Sequence, residues 1–96
     1  MGLPTSLWEN KTPDNAPLVR FMWRDIRRTD HWSDTDEAIR PARKLATAGW
    51  ILYDGVDPGD PGNEIVVLGN HYDYEEERWA DFHCFPKQVV RLDAGL

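Results

Sequence analysis

The chain has 96 residues, a formal net charge of −6 and an aromatic content of 11%. This composition predicts one small folded domain and excludes a chain that is disordered as a whole. Its single cysteine, Cys84, excludes an intramolecular disulfide and indicates a reducing compartment. The segment Met1 to Asn10 lacks the basic start and apolar run of a signal peptide, and no stretch approaches the ~20 apolar residues of a membrane-spanning helix. We therefore expect a cytoplasmic protein without a membrane anchor.

Charge is distributed unevenly along the chain. Residues 18–44 include seven basic and five acidic side chains, whereas residues 54–81 include nine acidic side chains and one basic side chain. This division predicts a local anion-binding site at one end of the molecule and a solubilising acidic surface at the other. The alternative is that both are ordinary solvated surfaces. The negative total argues against non-specific binding to nucleic acid, which needs a basic face.

The N-terminal segment, residues 1–17, places Pro4, Pro13 and Pro17 among polar residues, which predicts a flexible or docking tail. Trp8 is unusual in such a tail, and we expect it to dock on the folded domain or on a second subunit. The remaining residues, 18–96, are predicted to form a single β-barrel-like domain.

The first strand is predicted over residues 18–26, where Val19, Phe21 and Trp23 alternate with polar residues. Hydroxyl and acidic residues at 33–37 are typical of a helix N-terminus. Pro41 limits that helix to one or two turns.

The second strand is predicted over residues 44–54, and residues 55–63, with two prolines and three glycines, are predicted to form a loop. In the fourth strand, Ala80, Phe82 and Cys84 are expected to face inward. The third, fourth and fifth strands are predicted over residues 64–72, 79–85 and 89–92.

These elements predict a mainly β fold, a small five-stranded barrel or half-barrel with one short helix between strands one and two. The passage Phe85-Pro86-Lys87-Gln88-Val89-Val90 resembles the end of an SH3-type barrel. There a strand, a proline-started single turn and a short strand carry a similar apolar-Pro pattern. The resemblance implies that the barrel or half-barrel is SH3-like.

A second resemblance covers most of residues 18–92 and follows an ordered set of motifs. The set comprises Trp23-x-Asp25, Trp32 before a turn rich in serine and acidic residues, Pro41-Ala42, Gly49-Trp50-Ile51-Leu52, Ile65-Val66-Val67-Leu68-Gly69 and Phe85-Pro86-Lys87. It resembles small phage-encoded accessory proteins of largely unassigned function. Members of that class are shorter, so the N-terminal tail and residues 55–63 depart from the pattern. The resemblance implies a phage protein in a bacterial cytoplasm, and it implies no catalytic residues.

A group of arginine, aromatic and acidic residues points to a nucleotide-like ligand. Aromatic rings stack on a base, arginines pair with phosphate in bidentate fashion, and a carboxylate accepts hydrogen bonds from a ribose diol. The alternative is that Trp23 and Trp50 belong to the core and that the arginines are solvated. Lys44 is a further source of positive charge for this site. The predicted ligand-binding residues are Arg24, Asp25, Arg28, His31, Trp32, Arg43 and Lys87.

A hairpin over residues 69–83 offers a candidate metal face. A turn centred near Glu76 would pair His71 with Asp81 and Asp73 with Trp79, so that two imidazoles and two carboxylates share one face. The fourth member of that face is His83. A slip of one residue destroys the arrangement. The alternative is a polar outer surface, and on that basis no metal or other cofactor is assigned.

The sequence favours a protein without enzymatic activity but leaves the question open. Cys84 is expected to be buried between aromatic residues and therefore inert, and neither a serine elbow nor a glycine-rich phosphate loop is present. The predicted function is to bind and sequester a nucleotide-derived host immune signal, ADP-ribose-like or a cyclic nucleotide. A homo-oligomer is expected, because so small a barrel has little interior volume for a ligand. The alternatives are a protein interaction module that inhibits a host defence enzyme and a metal-assisted hydrolase of a small signal.

Overall fold

The computed structural model describes residues 3–25 and 43–95. The five strands form one antiparallel sheet in the order β4-β3-β2-β1-β5. Their bounds are β1 Leu18–Asp25, β2 Arg43–Asp57, β3 Asp60–Asp73, β4 Arg78–Pro86 and β5 Val90–Gly95. Two single-turn 3-10 helices accompany them, Thr5–Leu7 in the N-terminal segment and Lys87–Val89 between β4 and β5.

The prediction of a mainly β fold with five strands is confirmed, but the sheet is open rather than closed into a barrel. Strands β4 and β5 are its two edges, and within the described residues they share no ladder. The predicted short helix falls within residues 26–42, which lie outside the described residues.

The predicted loop over residues 55–63 is wrong, because β2 and β3 continue through most of it as a long hairpin. Only Pro58 and Gly59 separate the two strands, and the Gly59 N–H donates to Asp57 Oδ1 at 2.9 Å. The ladder shifts register between Val56 and Asp57. That irregularity accommodates Pro61, because a proline cannot donate to a ladder and is tolerated at bulges and edges.

One face of the sheet, which we name the inner face, carries an apolar cluster. Phe21 on β1 and Phe85 on β4 have ring centroids 6.5 Å apart. In a flat sheet strands β1 and β4 would lie about 14 Å apart, since neighbouring strands are separated by about 4.8 Å. The sheet therefore curls around this face. Its buried side chains are Val19, Phe21, Val66, Leu68 and Phe85.

The opposite face, which we name the outer face, is partly covered by the N-terminal segment. Pro17 O accepts a hydrogen bond from the Ile51 N–H at 2.8 Å, and Trp79 Nε1 donates to Lys11 O at 2.8 Å. We refer to the region beneath this segment as the covered half of the outer face. Its buried side chains are Trp8, Ala16, Leu52, Ile65, Val67 and Trp79.

A β-bulge in β2 supplies two neighbouring residues to the covered half. Leu52 is left unpaired between the pairs Ile51–Leu68 and Tyr53–Val67. Such a bulge turns two successive side chains toward one face. Leu52 is accordingly buried in the outer cluster, and Tyr53 packs against the same cluster.

Strand β4 changes face along its length. Trp79 belongs to the outer cluster and Phe85 to the inner cluster, although residues an even number of positions apart share a face in a regular strand. Asp81 lies between them with φ 57°, in the left-handed region that is uncommon for a residue with a side chain. The backbone at Asp81 therefore interrupts the alternation.

This interruption overturns the prediction that Ala80, Phe82 and Cys84 face inward. All three are exposed, and the Phe82 ring meets Trp8 of the N-terminal segment at a centroid distance of 5.2 Å. The prediction assumed an unbroken alternation, which holds only where every residue keeps extended backbone angles.

Candidate anion-binding face

The part of the outer face that lies beyond the covered half is formed by β5, β1 and β2. Because Val19, Phe21 and Trp23 pack on the inner face, the intervening residues of β1 point outward. Two of them, Arg20 and Arg24, are exposed.

The neighbouring strands extend this basic surface. In the β1–β2 ladder Arg24 lies opposite Lys44, and in the β1–β5 ladder Met22 lies opposite Arg91. Lys44 and Arg91 are exposed, as are the small residues Ala46 and Ala48 between them and the covered half. Among the side chains that the structure describes on this surface, four are exposed cations. We name the four cations the basic strip: Arg20, Arg24, Lys44 and Arg91.

The structure brings part of the predicted ligand group to this surface. Arg24 lies in the basic strip. Asp25 and Arg43 pair through their backbones at the adjoining end of β1 and β2, while nothing is described of their side chains. Three further predicted ligand-binding residues lie outside the described residues, namely Arg28, His31 and Trp32.

Lys87 lies away from the basic strip. It belongs to the 3-10 helix between β4 and β5, and its Nζ is 2.9 Å from Asp54 Oδ1. Asp54 pairs with Val66, whose side chain is in the inner cluster, so this ion pair sits on the inner side of the sheet. The hydrogen bond that Lys87 donates to Asp54 raises the pKa of Lys87, and the charges of Asp54 and Glu64 add to the effect. The structure therefore separates Lys87 from Arg24 by the thickness of the sheet.

Trp23 is also turned away from the arginines. It is half-buried beside Phe85, with ring centroids 5.2 Å apart, and its Nε1 donates to Thr47 Oγ1 at 2.9 Å. A base stacked on this indole would lie on the face opposite to Arg24. The alternative interpretation of Trp23 as a core residue therefore fits its position.

The predicted register of the β3–β4 hairpin is wrong by one residue. His71 pairs with Ala80, and Asp73 pairs with Arg78. The turn spans residues 74–77, and Asp73 Oδ1 accepts the N–H of Glu75 at 2.9 Å. This local hydrogen bond, which the sequence pattern alone does not reveal, fixes where the turn begins.

The four candidate metal ligands of this hairpin divide into separate interactions. His71 Nδ1 is 2.5 Å from Asp81 Oδ2, while His83 Nδ1 is 2.6 Å from Asn70 Oδ1. The His83 ring stacks on Phe85 at 6.1 Å, on the inner face. Within residues 3–25 and 43–95 no group of three or more histidine, cysteine or acidic side chains is placed to hold a metal ion.

Cys84 is exposed rather than buried. Partial burial raises the pKa of its thiol, and the negative charge of Asp57 raises it further. Since the thiolate is the nucleophile, this environment reduces the reactive fraction at neutral pH.

Sequence reasoning did not assign Arg20 and Arg91 to the site. Arg20 could have been found from the sequence, because the alternation of side chains in β1 puts it on the same face as Arg24. Arg91 was not, since its place beside β1 depends on the pairing of the last strand with the first.

The chain matches no protein-family model, and comparison with curated proteins and solved structures finds no similar protein. No helix in the part of the chain that the structure describes is long and apolar enough to cross a membrane.

Proposed function

We propose that the protein is a non-catalytic binding module that holds an anionic ligand on the basic strip. The observation that carries this proposal is the convergence of Arg20, Arg24, Lys44 and Arg91 from three strands onto one exposed surface of a chain whose net charge is −6. A cluster of one sign on a surface of the other sign creates a local potential that attracts an oppositely charged ligand.

The ligand class that we propose is a nucleotide-derived signal of a bacterial host, ADP-ribose-like or a cyclic nucleotide, sequestered by a small phage protein. Guanidinium groups pair with phosphate oxygens in bidentate fashion, and three of the four cations are arginines. The resemblance to phage accessory proteins supports the phage origin and a place in the host cytoplasm. A strand face by itself does not enclose a small molecule. We therefore propose a homo-oligomer in which two strips enclose the ligand.

We also propose that the domain is an SH3-like half-barrel. The order β4-β3-β2-β1-β5 and the 3-10 helix Lys87–Val89 between the last two strands support this assignment. The curl of the sheet around Phe21 and Phe85 is consistent with it.

A second candidate function is a protein interaction module that inhibits a host defence enzyme. Strand β5 is an edge of the sheet, and it carries the exposed Leu92 beside Arg91, with the exposed Val89 just before the strand. Arginines and apolar side chains together are typical of protein interfaces, and an edge strand can pair with another chain.

Thermal unfolding with a panel of ADP-ribose, cyclic mononucleotides and cyclic dinucleotides tests the first proposal. A ligand at 100 times its dissociation constant should stabilise the protein by about 2.7 kcal/mol. The double variant Arg24→Glu/Lys44→Glu should lose this stabilisation. Arg20→Glu replaces a cation of the strip, and its matched control Arg78→Glu replaces a cation away from the strip. Both variants make the same change in charge. Arg78→Glu should keep the stabilisation, whereas a panel without any stabilising nucleotide contradicts the nucleotide proposal and favours the protein interaction module.

A further inference from the structure

The two edges of the sheet differ in how well they can accept a further strand. Within residues 3–25 and 43–95 these edges are β4 and β5. An edge strand offers backbone N–H and C=O groups to another chain, and proteins oppose such pairing with bends, bulges, prolines or a covering segment. The edge that is less protected is therefore the better candidate for an interface.

Strand β4 is the better protected edge. Asp81 lies in its middle with φ 57°, so the extended backbone is interrupted there. Pro86 at the end of the strand has no N–H to donate. The N-terminal segment also packs beside this edge, where the Trp8 and Phe82 rings are 5.2 Å apart. A second strand could therefore follow β4 over only a few residues.

Strand β5 carries an exposed apolar side chain at the end of the inner cluster. Leu92 lies opposite Phe21 in the β1–β5 ladder, and directly opposite residues share a face of the sheet. Phe21 belongs to the inner cluster, and Val90, two positions before Leu92, packs against it. Leu92 is nevertheless 64% exposed. The apolar row of the inner face thus continues to the edge, where a strand beside β5 would cover it.

The sequence of β5 is complementary to itself about Leu92. The strand reads Val90-Arg91-Leu92-Asp93-Ala94. When two copies pair in antiparallel fashion about this leucine, Arg91 lies opposite the partner's Asp93, and Val90 lies opposite the partner's Ala94. Pairing centred on Arg91 would instead oppose two arginines, and like charges directly opposite each other are destabilising. Charge and hydropathy therefore favour one register for a pair of identical strands.

An irregularity in β5 limits the length of this pairing. Phe21 pairs with Leu92 and Arg20 with Ala94, so Asp93 is an extra residue in the ladder with β1. A bulge leaves the extra residue without a partner in the neighbouring strand and increases the local twist. The contact between two β5 strands is therefore confined to a short segment, and interfaces of small area are typical of weak association.

We infer that two copies of the chain associate by antiparallel pairing of their β5 strands about a two-fold axis at Leu92. The axis runs perpendicular to the sheet, so the outer faces of both copies lie on the same side and their basic strips adjoin. The inference rests on the homo-oligomer of the proposed function, whose interface it names. Because association is measured without ligand, the interface can fail separately from ligand binding.

Sedimentation equilibrium of the full chain without ligand tests this interface. We expect a monomer–dimer equilibrium in which Leu92→Lys raises the dissociation constant of the dimer at least tenfold, since it opposes two charges at the axis. The matched control Tyr74→Lys, at an exposed aromatic residue of the β3–β4 turn, should change the constant less than threefold. A monomer at every concentration, or a dimer that Leu92→Lys does not weaken, would overturn the inference.

Exchange of two charges tests the register of the pairing. Arg91→Asp and Asp93→Arg should each weaken the dimer at least tenfold, because each places like charges opposite each other twice in the dimer. The double variant Arg91→Asp/Asp93→Arg again opposes unlike charges, so its dissociation constant should return to within threefold of that of the unsubstituted protein. A double variant as weak as the single variants would overturn the pairing about Leu92.

A cross-link at the axis gives an independent test. Directly opposite residues have Cβ atoms about 5 Å apart, close to the roughly 3.8 Å that a disulfide requires. Leu92→Cys in a Cys84→Ser background should therefore form a disulfide-linked dimer under mild oxidation, whereas Tyr74→Cys in the same background should remain monomeric. Equal cross-linking of the two variants would overturn the interface. Binding of ADP-ribose or a cyclic nucleotide by a strictly monomeric protein would also overturn it, while leaving the ligand of the proposed function standing.

Discussion

The covered half and the basic strip lie on the same face of one sheet, yet their chemistry is opposite. Strand β2 passes through both regions, with Ala46 and Ala48 beside the strip and Trp50 and Leu52 in or against the outer cluster. The N-terminal segment lies only on the apolar region, where Trp8 is 9% exposed. The covered half buries apolar side chains, whereas the four cations of the strip are exposed. On the proposed function, one surface therefore serves both folding and binding.

The largest effect is expected from Trp79→Ala in the covered half. Trp79 is 7% exposed, contacts Trp50 and Tyr72, and is bonded to Lys11 O. Its truncation should lower the free energy of unfolding by about 3–5 kcal/mol, measured by urea denaturation. The control Tyr74→Ala, at a residue 67% exposed, should cost about 1 kcal/mol or less. A loss below 1 kcal/mol for Trp79→Ala would show that the covered half does not hold the fold together.

A smaller loss is expected from Gly69→Ala, which tests the packing beneath the N-terminal segment. A Cβ at Gly69 would lie 2.6 Å from Trp79 Cε3 and 2.8 Å from Leu52 Cδ1, so the indole must move. Overpacking of this kind costs about 1–3 kcal/mol, again measured by urea denaturation. The matched control is Gly59→Ala, whose added Cβ comes no closer than 3.6 Å to Asp57 Oδ1. If the two variants were equally stable, the close approach at Gly69 would have no energetic role.

Alkaline pH should weaken the covered half through Tyr72. Partial burial raises the pKa of Tyr72 above its ordinary value of 10.0, and the charge of Glu77 and other nearby groups raise it further. Because the folded state keeps the proton longer than the unfolded chain, this stabilisation is complete below the unfolded pKa. It is lost as pH rises through the folded pKa. Urea denaturation between pH 8 and pH 11 should therefore show that the free energy of unfolding declines more steeply with pH for the unsubstituted protein than for Tyr72→Phe. Identical slopes would contradict the assignment.

The smallest effect concerns Cys84, at the margin of the covered half. Its thiol is exposed, yet its pKa lies above the ordinary value of 9.0 because of partial burial and the charge of Asp57. At pH 8 the folded protein should react with a disulfide reagent several times more slowly than the urea-unfolded chain, followed by absorbance. Asp57→Asn should accelerate the folded reaction slightly. A folded rate equal to the unfolded rate would argue against a perturbed thiol.

Much of the strand content follows from local pattern. The alternation of Val19, Phe21 and Trp23 predicts both β1 and its inner face, and the run from Ile65 to Leu68 predicts the centre of β3. These predictions hold because the alternation of side chains is set by the extended backbone within each strand and does not depend on the neighbouring strands.

The features that sequence missed all depend on contacts between distant parts of the chain or on single backbone angles. The long β2–β3 hairpin extends through prolines that favour a loop, because the bulge near Val56 removes the conflict. The face change in β4 follows from one left-handed residue, Asp81. The register of the β3–β4 hairpin was also predicted wrongly, because a shift of one residue in the turn changes every pair of the hairpin.

The candidate site was predictable only in part for the same reason. Arg24 and Lys44 lie near the strand ends where the basic part of the sequence predicts an anion site, and they are directly paired. Arg91 joins the strip only because β5 pairs with β1. Lys87 does not belong to the strip, because it forms an ion pair with Asp54 on the other side of the sheet. Strand order, which is not local information, decides which cations meet.

The most direct test is to locate the binding surface by backbone amide chemical shifts during titration with ADP-ribose and with the cyclic nucleotides of the panel. We expect the largest changes at residues 20–24 of β1, at residues 44–48 of β2 and at Arg91, with small changes in the covered half. Changes concentrated at the β2–β3 hairpin or in the covered half, or none at any ligand concentration, would contradict the assignment of the basic strip as the binding surface.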